Sequence, residues 1–147
     1  MQDLDIRLEY THEWIDHPLI FLFYIDNRII HLDNSGKNNC IISKKIKLAD
    51  GKHLLKVQIQ NKNEANTIID QKQRILSDSF LRIDSIRFDD IEIKDQVFLN
   101  TEIGKFYIDN QSNNILTRTS EFGYNGCLQI EFSMPMYNWL LESYFGS

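Results

Sequence analysis

The side chains that could do chemistry are four histidines, two cysteines and a large set of carboxylates. His12 and His17 stand five apart around Trp14, a spacing that fits neither one strand face nor one helix face. His31 lies near Asp33 in an apolar run, and His53 opens another such run just after a turn. None has a serine or cysteine partner in a nucleophile motif, so surface or strand-edge positions are expected and not catalysis. Cys40 and Cys127 sit in apolar, strand-like segments without CxxC or zinc-type spacing, and read as two buried free thiols.

The acids are Asp70, Asp78, Asp84, Asp89, Asp90, Glu92 and Asp95. A carboxylate pair can hydrolyse a glycoside only when the two face each other across a cleft. These fall in turns or on the polar phase of strands, so a solvated face is expected and no enzyme. Calcium is a sharper use for them. It takes roughly six to eight oxygens from carboxylates, amides and carbonyls. The polar stretch 61–78 holds Asn61, Asn63, Glu64, Asp70 and Asp78, and Asn61, Asp70 and Asp78 are the candidate ligands. EF-hand spacing is absent there. The six glycines are scattered and form no phosphate loop; the densest group, Gly123-Tyr124-Asn125-Gly126, ends in a hairpin-turn signal.

The elements that must position these residues show alternation of period two. Ile6, Leu8 and Tyr10 alternate with Asp5, Arg7 and Glu9, Leu55, Val57 and Ile59 with Lys56, Gln58 and Gln60, and Leu128, Ile130 and Phe132 with Gln129 and Glu131. Each pattern puts one face on a core and the other in water, as in an antiparallel sheet. Further strands are expected over 19–25, 28–32, 40–48, 80–88, 91–94 and 105–108. Asp26-Asn27 is a two-residue hairpin turn, because both residue types tolerate positive φ. Ala49-Asp50-Gly51-Lys52 is expected to join the next pair in the same way. The apolar phase Leu81, Ile83, Ile86, Phe88 carries one extra residue near Asp84-Ser85, which predicts a β-bulge. Pro135 precedes Met136, Trp139 and Leu140 on one helical face, predicting a short helix over 136–144 that closes an open end. The whole chain, 1–147, is expected to be a single all-β domain. Its fold class is an antiparallel jelly-roll-type β-sandwich with one short C-terminal helix.

Composition removes several classes. The net charge is −5 and the densest basic group is only Lys44, Lys45 and Lys47, which argues against a nucleic-acid surface. The longest apolar run, 18–25, is far below the roughly 20 residues of a membrane span. Met1-Gln2-Asp3-Leu4-Asp5 is acidic and has no apolar signal core, so use without a signal peptide is expected. Among the aromatics, Trp14 and Tyr24 could serve as sugar platforms. Trp14, Phe21, Phe23, Tyr144 and Phe145 would be contact material for a protein partner if exposed.

Two resemblances emerge from the ordered runs. Gly51-Lys52-His53, an alternating strand, an Asn-containing loop and then Asp78-Ser79-Phe80-Leu81-Arg82-Ile83 loosely resemble the calcium-dependent xylan-binding modules. The chain departs from them at Lys62, which stands where the loop's aspartate would be and would repel an ion. A second set of runs covers about the last two-thirds of the chain. It comprises Asp50-Gly51-Lys52-His53, Asp70, Ile83-Asp84-Ser85-Ile86 with Asp89-Asp90-Ile91, Gly104-Lys105-Phe106-Tyr107, Phe122-Gly123-Tyr124-Asn125-Gly126, Ile130-Glu131-Phe132 and Trp139-Leu140. It is similar to small uncharacterised β-sandwich proteins of tailed phages with contractile tails. That similarity implies a non-enzymatic virion component in capsid decoration, neck, tail, baseplate or fibre. Such a protein is made in the host cytoplasm and assembled in many copies against other virion proteins. The alternative is a carbohydrate-binding module, with calcium as its cofactor and a host-surface glycan as its partner.

Overall fold

The computed structural model describes residues 1–111 and 114–142. In chain order the elements are β1 (Gln2–Glu13), β2 (Ile20–Ile25), β3 (Arg28–Asp33), β4 (Asn39–Leu48) and β5 (Gly51–Gln60). A 3-10 turn over Glu64–Asn66 leads to β6 (Thr67–Ile69), β7 (Ile75–Asp78), β8 (Phe80–Phe88) and β9 (Ile91–Lys94). Then come α1 (Asp95–Asn100), β10 (Lys105–Ile108), β11 (Ile115–Leu116), β12 (Glu121–Phe122), β13 (Gly126–Met134) and α2 (Met136–Leu140).

Alternation places the expected strands, whereas the short strands β6, β7, β11 and β12 were not expected, β6 and β7 forming a hairpin within the polar stretch 61–78. Leu4, Ile6, Leu8 and Tyr10 of β1 are buried while their neighbours face outward. Among the described residues, one sheet has the order β12-β8-β1-β4, with β9 also on β8; the other runs β11-β10-β13-β5-β2-β3. Every pairing is antiparallel. The two inner faces meet in one core that joins Leu4, Ile6 and Leu8 with Phe21, Phe23, Val57, Ile83, Leu128 and Ile130. This is an antiparallel β-sandwich, the expected fold class. Trp139 of α2 packs edge-on against Phe88 and Phe132, at 6.1 and 6.2 Å between ring centroids. Those rings come from opposite sheets, so the helix closes one end of the sandwich. Its expected extent beyond 142 lies outside the described residues.

The Asp26-Asn27 turn is present, with φ of 49° and 67° at its two residues. The bulge is present too. Glu9 pairs with Ser85 and Tyr10 with Ile83, which leaves Asp84 as the extra residue.

Four expectations are corrected. Asp50-Gly51 makes a tight turn, but β4 and β5 do not pair; they enter opposite sheets. Asn125-Gly126 likewise links β12 in one sheet to β13 in the other. A second helix, α1, was not expected; Phe98 anchors it in the core. Phe21 and Phe23 are fully buried, because β2 lies between β3 and β5 with that face inward. Neither can serve as an exposed contact. The thiols of Cys40 and Cys127 are free as expected, though half-buried.

Candidate functional site

Three connections crowd together at one end of the sandwich: the β1–β2 loop, the β5–β6 connection and the β12–β13 link. Two buried polar residues lock the first two together. The Asn66 side-chain amide donates to the carbonyls of Ile15 and His17 at 2.9 and 2.8 Å, and its Oδ1 accepts the N–H of Asn63 at 2.9 Å. Ser79 donates its hydroxyl to the Asn66 carbonyl at 2.8 Å and accepts the N–H of Ile15 at 2.9 Å. Both residues are fully buried, and each of these bonds satisfies a group that would otherwise be costly to desolvate.

On this frame sits Lys62. Its main chain is clasped by the Asn125 side chain: the Lys62 N–H donates to Oδ1 at 2.9 Å, and Nδ2 donates to the Lys62 carbonyl at 2.8 Å. Its side chain is only 11% exposed. The ammonium donates to Asp78 Oδ1 at 2.7 Å, to the Ser79 carbonyl at 3.1 Å and to the Gly123 carbonyl. It also lies over the Tyr124 ring, 5.8 Å from the centroid. Asp78 Oδ1 is further held by the Thr67 hydroxyl at 2.7 Å and the Ser79 N–H at 2.8 Å. Gly123 belongs to the same cradle. A Cβ there would stand 3.4 Å from the Lys62 ammonium, the Asp78 carboxylate and the Ser79 carbonyl alike.

Two adjoining depressions open on either side of Tyr124. One, about 360 Å³, is lined by Asn63, Glu64, Thr67, Ile75 and Asn125 among others. The other, about 530 Å³, is lined by Leu76, Ser77, Phe80 and Glu121 among others. Both share Ile75, Asp78, Gly123 and Tyr124. Tyr124 is 50% exposed and forms their common wall.

The three metal-ligand candidates do not gather. Asp78 is at the base of the β6–β7 hairpin, paired with Thr67 in register, and is taken by Lys62. Asp70 is at the hairpin's tip, where it accepts the N–H groups of Lys72 and Arg74 and pairs with the Arg74 guanidinium at 2.7 Å. Those contacts, the Arg74 N–H foremost, hold its carboxyl below the usual range. Asn61 gives its carbonyl to His17 and its amide to the Pro18 carbonyl. Among the described residues no group of three or more His, Cys, Asp or Glu side chains is arranged to hold a metal ion.

The histidines differ in kind. His17 bridges Asp16 and the Asn61 carbonyl, each at 2.7 Å, and both contacts raise its pKa. His53 is partly buried, which opposes charge, but Asp26 and the Ala49 carbonyl outweigh burial and raise its pKa. His12, expected at the surface or a strand edge, is buried on β1, which lies between β8 and β4, and packs beside Phe21 with 4.6 Å between rings. Trp14 is partly exposed, with its indole N–H donating to the Gly36 carbonyl at 2.8 Å. Tyr24 is half-buried on the outer face of its sheet, beneath the Lys56 ammonium at 5.1 Å. Tyr144 and Phe145 lie outside the described residues.

Sequence reasoning flagged Lys62 and the Gly123–Gly126 cluster separately and did not join them. The signal available was the pairing of a lysine near the start of a polar loop with a distant turn that holds two glycines.

No family model and no curated protein matches this chain. Solved structures do. The carbohydrate-binding module vCBM60 in complex with galactobiose superposes with a TM-score of 0.54 at 9% identity, covering 86% of this chain and 96% of that one. The selenomethionine form of vCBM60, from work linking two families of calcium-dependent carbohydrate-binding modules by circular permutation, gives 0.51 at 8% identity. It covers 86% of this chain and 89% of that one. At such identity the likeness establishes the shared β-sandwich fold.

Proposed function

We propose that this chain is a non-catalytic glycan-binding module whose ligand lies along the cleft divided by Tyr124. The observation that carries this reading is an exposed aromatic ring standing between two depressions that mix apolar walls with carboxylate and amide groups, on a tied loop end. An aromatic face takes the apolar C–H face of a sugar, while carboxylates and amides at its sides take the hydroxyls. Glu64 on one side and Glu121 on the other supply such acceptors, with Asn63 and Thr67 beside them. The sugar-binding modules that share the fold support the same reading. An extended cleft of two depressions suits at least a disaccharide.

The reading as a virion component lacks comparable support. Two of the contact residues assigned to it, Phe21 and Phe23, are core residues. The solved structures named above are sugar-binding modules and not virion parts.

The test is a glycan array with the labelled protein, followed by affinity electrophoresis in gels that contain the glycans retained. Tyr124→Ala is expected to weaken retention at least about tenfold while lowering the thermal midpoint by only a few degrees (about 1 kcal/mol or less), because the ring is half in solvent and its contact with Lys62 is a single cation–π pair. No retention on any glycan, or a Tyr124→Ala variant that binds as the parent does, would refute the proposal.

A further inference from the structure

The calcium dependence of the proteins that share this fold raises the question of whether such an ion fits here. The donor set around the Lys62 ammonium is one carboxylate oxygen and two main-chain carbonyls, brought from the end of β7, the β7–β8 junction and the β12–β13 link. Carboxylate and carbonyl oxygens converging from separate segments are what a calcium ion requires. Here the converging point is filled by an ammonium, which has three donors and finds three acceptors. The Lys62 charge is matched by Asp78, and the main chain that carries it is held by Asn125 on both its N–H and its carbonyl. A divalent ion would have to expel this cation or sit against it. The residues as they stand do not fit calcium.

We propose that the Lys62 ammonium is a built-in cation doing the structural work of a metal ion at this cleft. It ties β7, β8 and the β12–β13 link together without an external ligand, and replacing it with a carboxylate completes a calcium site from the oxygens it now holds. The ammonium's three hydrogen bonds are all spent within the protein, so it has none to offer a sugar hydroxyl. A metal ion of higher coordination number would keep positions open for one. Any glycan held in this cleft is therefore held without calcium. That consequence rests on the glycan-binding reading above; the metal measurement does not, and the two can fail separately.

The test measures calcium and terbium binding on the intact chain and on Lys62→Asp, Lys62→Met and Asp78→Asn variants. Thermal melts are run with excess EDTA and with millimolar calcium. Terbium luminescence sensitised by Tyr124 reports on the cradle itself. The parent protein is expected to show no calcium-dependent shift in midpoint and no saturable terbium signal. Lys62→Asp is expected to melt lower than the parent in EDTA and to recover by about 5 °C or more in calcium at a hundredfold excess over its Kd. Its terbium signal should be saturable and lost in the double variant with Asp78→Asn. Lys62→Met should be lowered without any calcium rescue, since it lacks the added carboxylate. Saturable terbium or calcium binding by the parent that Asp78→Asn abolishes would overturn the proposal. So would a folded Lys62→Asp protein that ignores calcium. If Lys62→Asp is unfolded in EDTA, folding on calcium addition supports the proposal and failure to fold overturns it.

Discussion

His12 makes folding sensitive to acid in a way that can be worked out from its surroundings. The residue is on β1, with a side chain 1% exposed. Its Nε2 accepts the Leu19 N–H at 3.3 Å, and its Nδ1 has no hydrogen-bond partner among the described residues. Burial pushes the imidazole pKa down to about 4; the negative charge of Asp33 acts the other way and does not compensate. Protonation would turn Nε2 into a donor facing the Leu19 donor, so the charged form also loses its one bond. The folded pKa lies below the ordinary value of 6.5. The unfolded chain therefore takes up a proton that the folded chain refuses between those two values, and stability falls as pH drops through that window. Above pH 7 the residue is neutral in both states and has no effect. At pH 4.5 the loss is about 2–3 kcal/mol, since one pKa unit corresponds to roughly 1.4 kcal/mol. The assay is urea unfolding followed by tryptophan fluorescence, at pH 7.5 and pH 4.5, for the parent and His12→Leu. The variant loses the acceptor for Leu19 at both pH values, an offset of about 1 kcal/mol. His17 and His53 have raised pKa values, so their contribution is present below the unfolded value and lost as pH rises through the folded one. They titrate in both proteins and cancel in the comparison. The stability of the parent relative to the variant should fall by about 2–3 kcal/mol on acidification. A difference that stays constant within about 0.5 kcal/mol would show that burial does not hold the imidazole neutral.

Two further perturbations probe the frame of the site. A Cβ at Gly126 would stand 2.3 Å from the Tyr107 carbonyl and 2.8 Å from the Phe106 ring. Gly126→Ala is therefore expected to cost about 1–3 kcal/mol, read as a lower urea midpoint with unchanged slope. Asn66→Ala removes two side-chain donor bonds and one acceptor bond in a fully buried position, and should cost about 2–3 kcal/mol. Because Asn66 ties the β1–β2 loop to the segment that carries Lys62, the same variant should also lose glycan retention on affinity gels at temperatures where it is still folded. Retention equal to the parent's would mean that this anchor does not shape the cleft.

Much of the local structure was written in the order of residues. Period-two alternation over Leu4–Tyr10, Leu55–Ile59 and Leu128–Phe132 demands strands, because only a pleated chain puts every second side chain into a core. Asp26-Asn27 makes its hairpin turn, because its two residues accept positive φ. The shift of phase at Asp84 becomes a bulge for an equally local reason: one residue too many lies between buried positions.

What the sequence could not decide is which strand lies beside which. Asp50-Gly51 and Asn125-Gly126 carry the same kind of turn signal as Asp26-Asn27, yet both links cross between sheets. A turn bends the chain, and the partner is chosen by which faces must be covered. The burial of Phe21 and Phe23 follows from β3 and β5 flanking β2, and the burial of His12 from its place beside Phe21. A strand's own alternation does not reveal these neighbours. The site is the extreme case. Lys62 reads as an ordinary cation in a polar loop until Ser79, seventeen residues on, and Gly123, sixty-one residues on, offer it their carbonyls. Backbone oxygens carry no sequence signature, so a cradle built from them forms only when distant segments are brought together by the core they share.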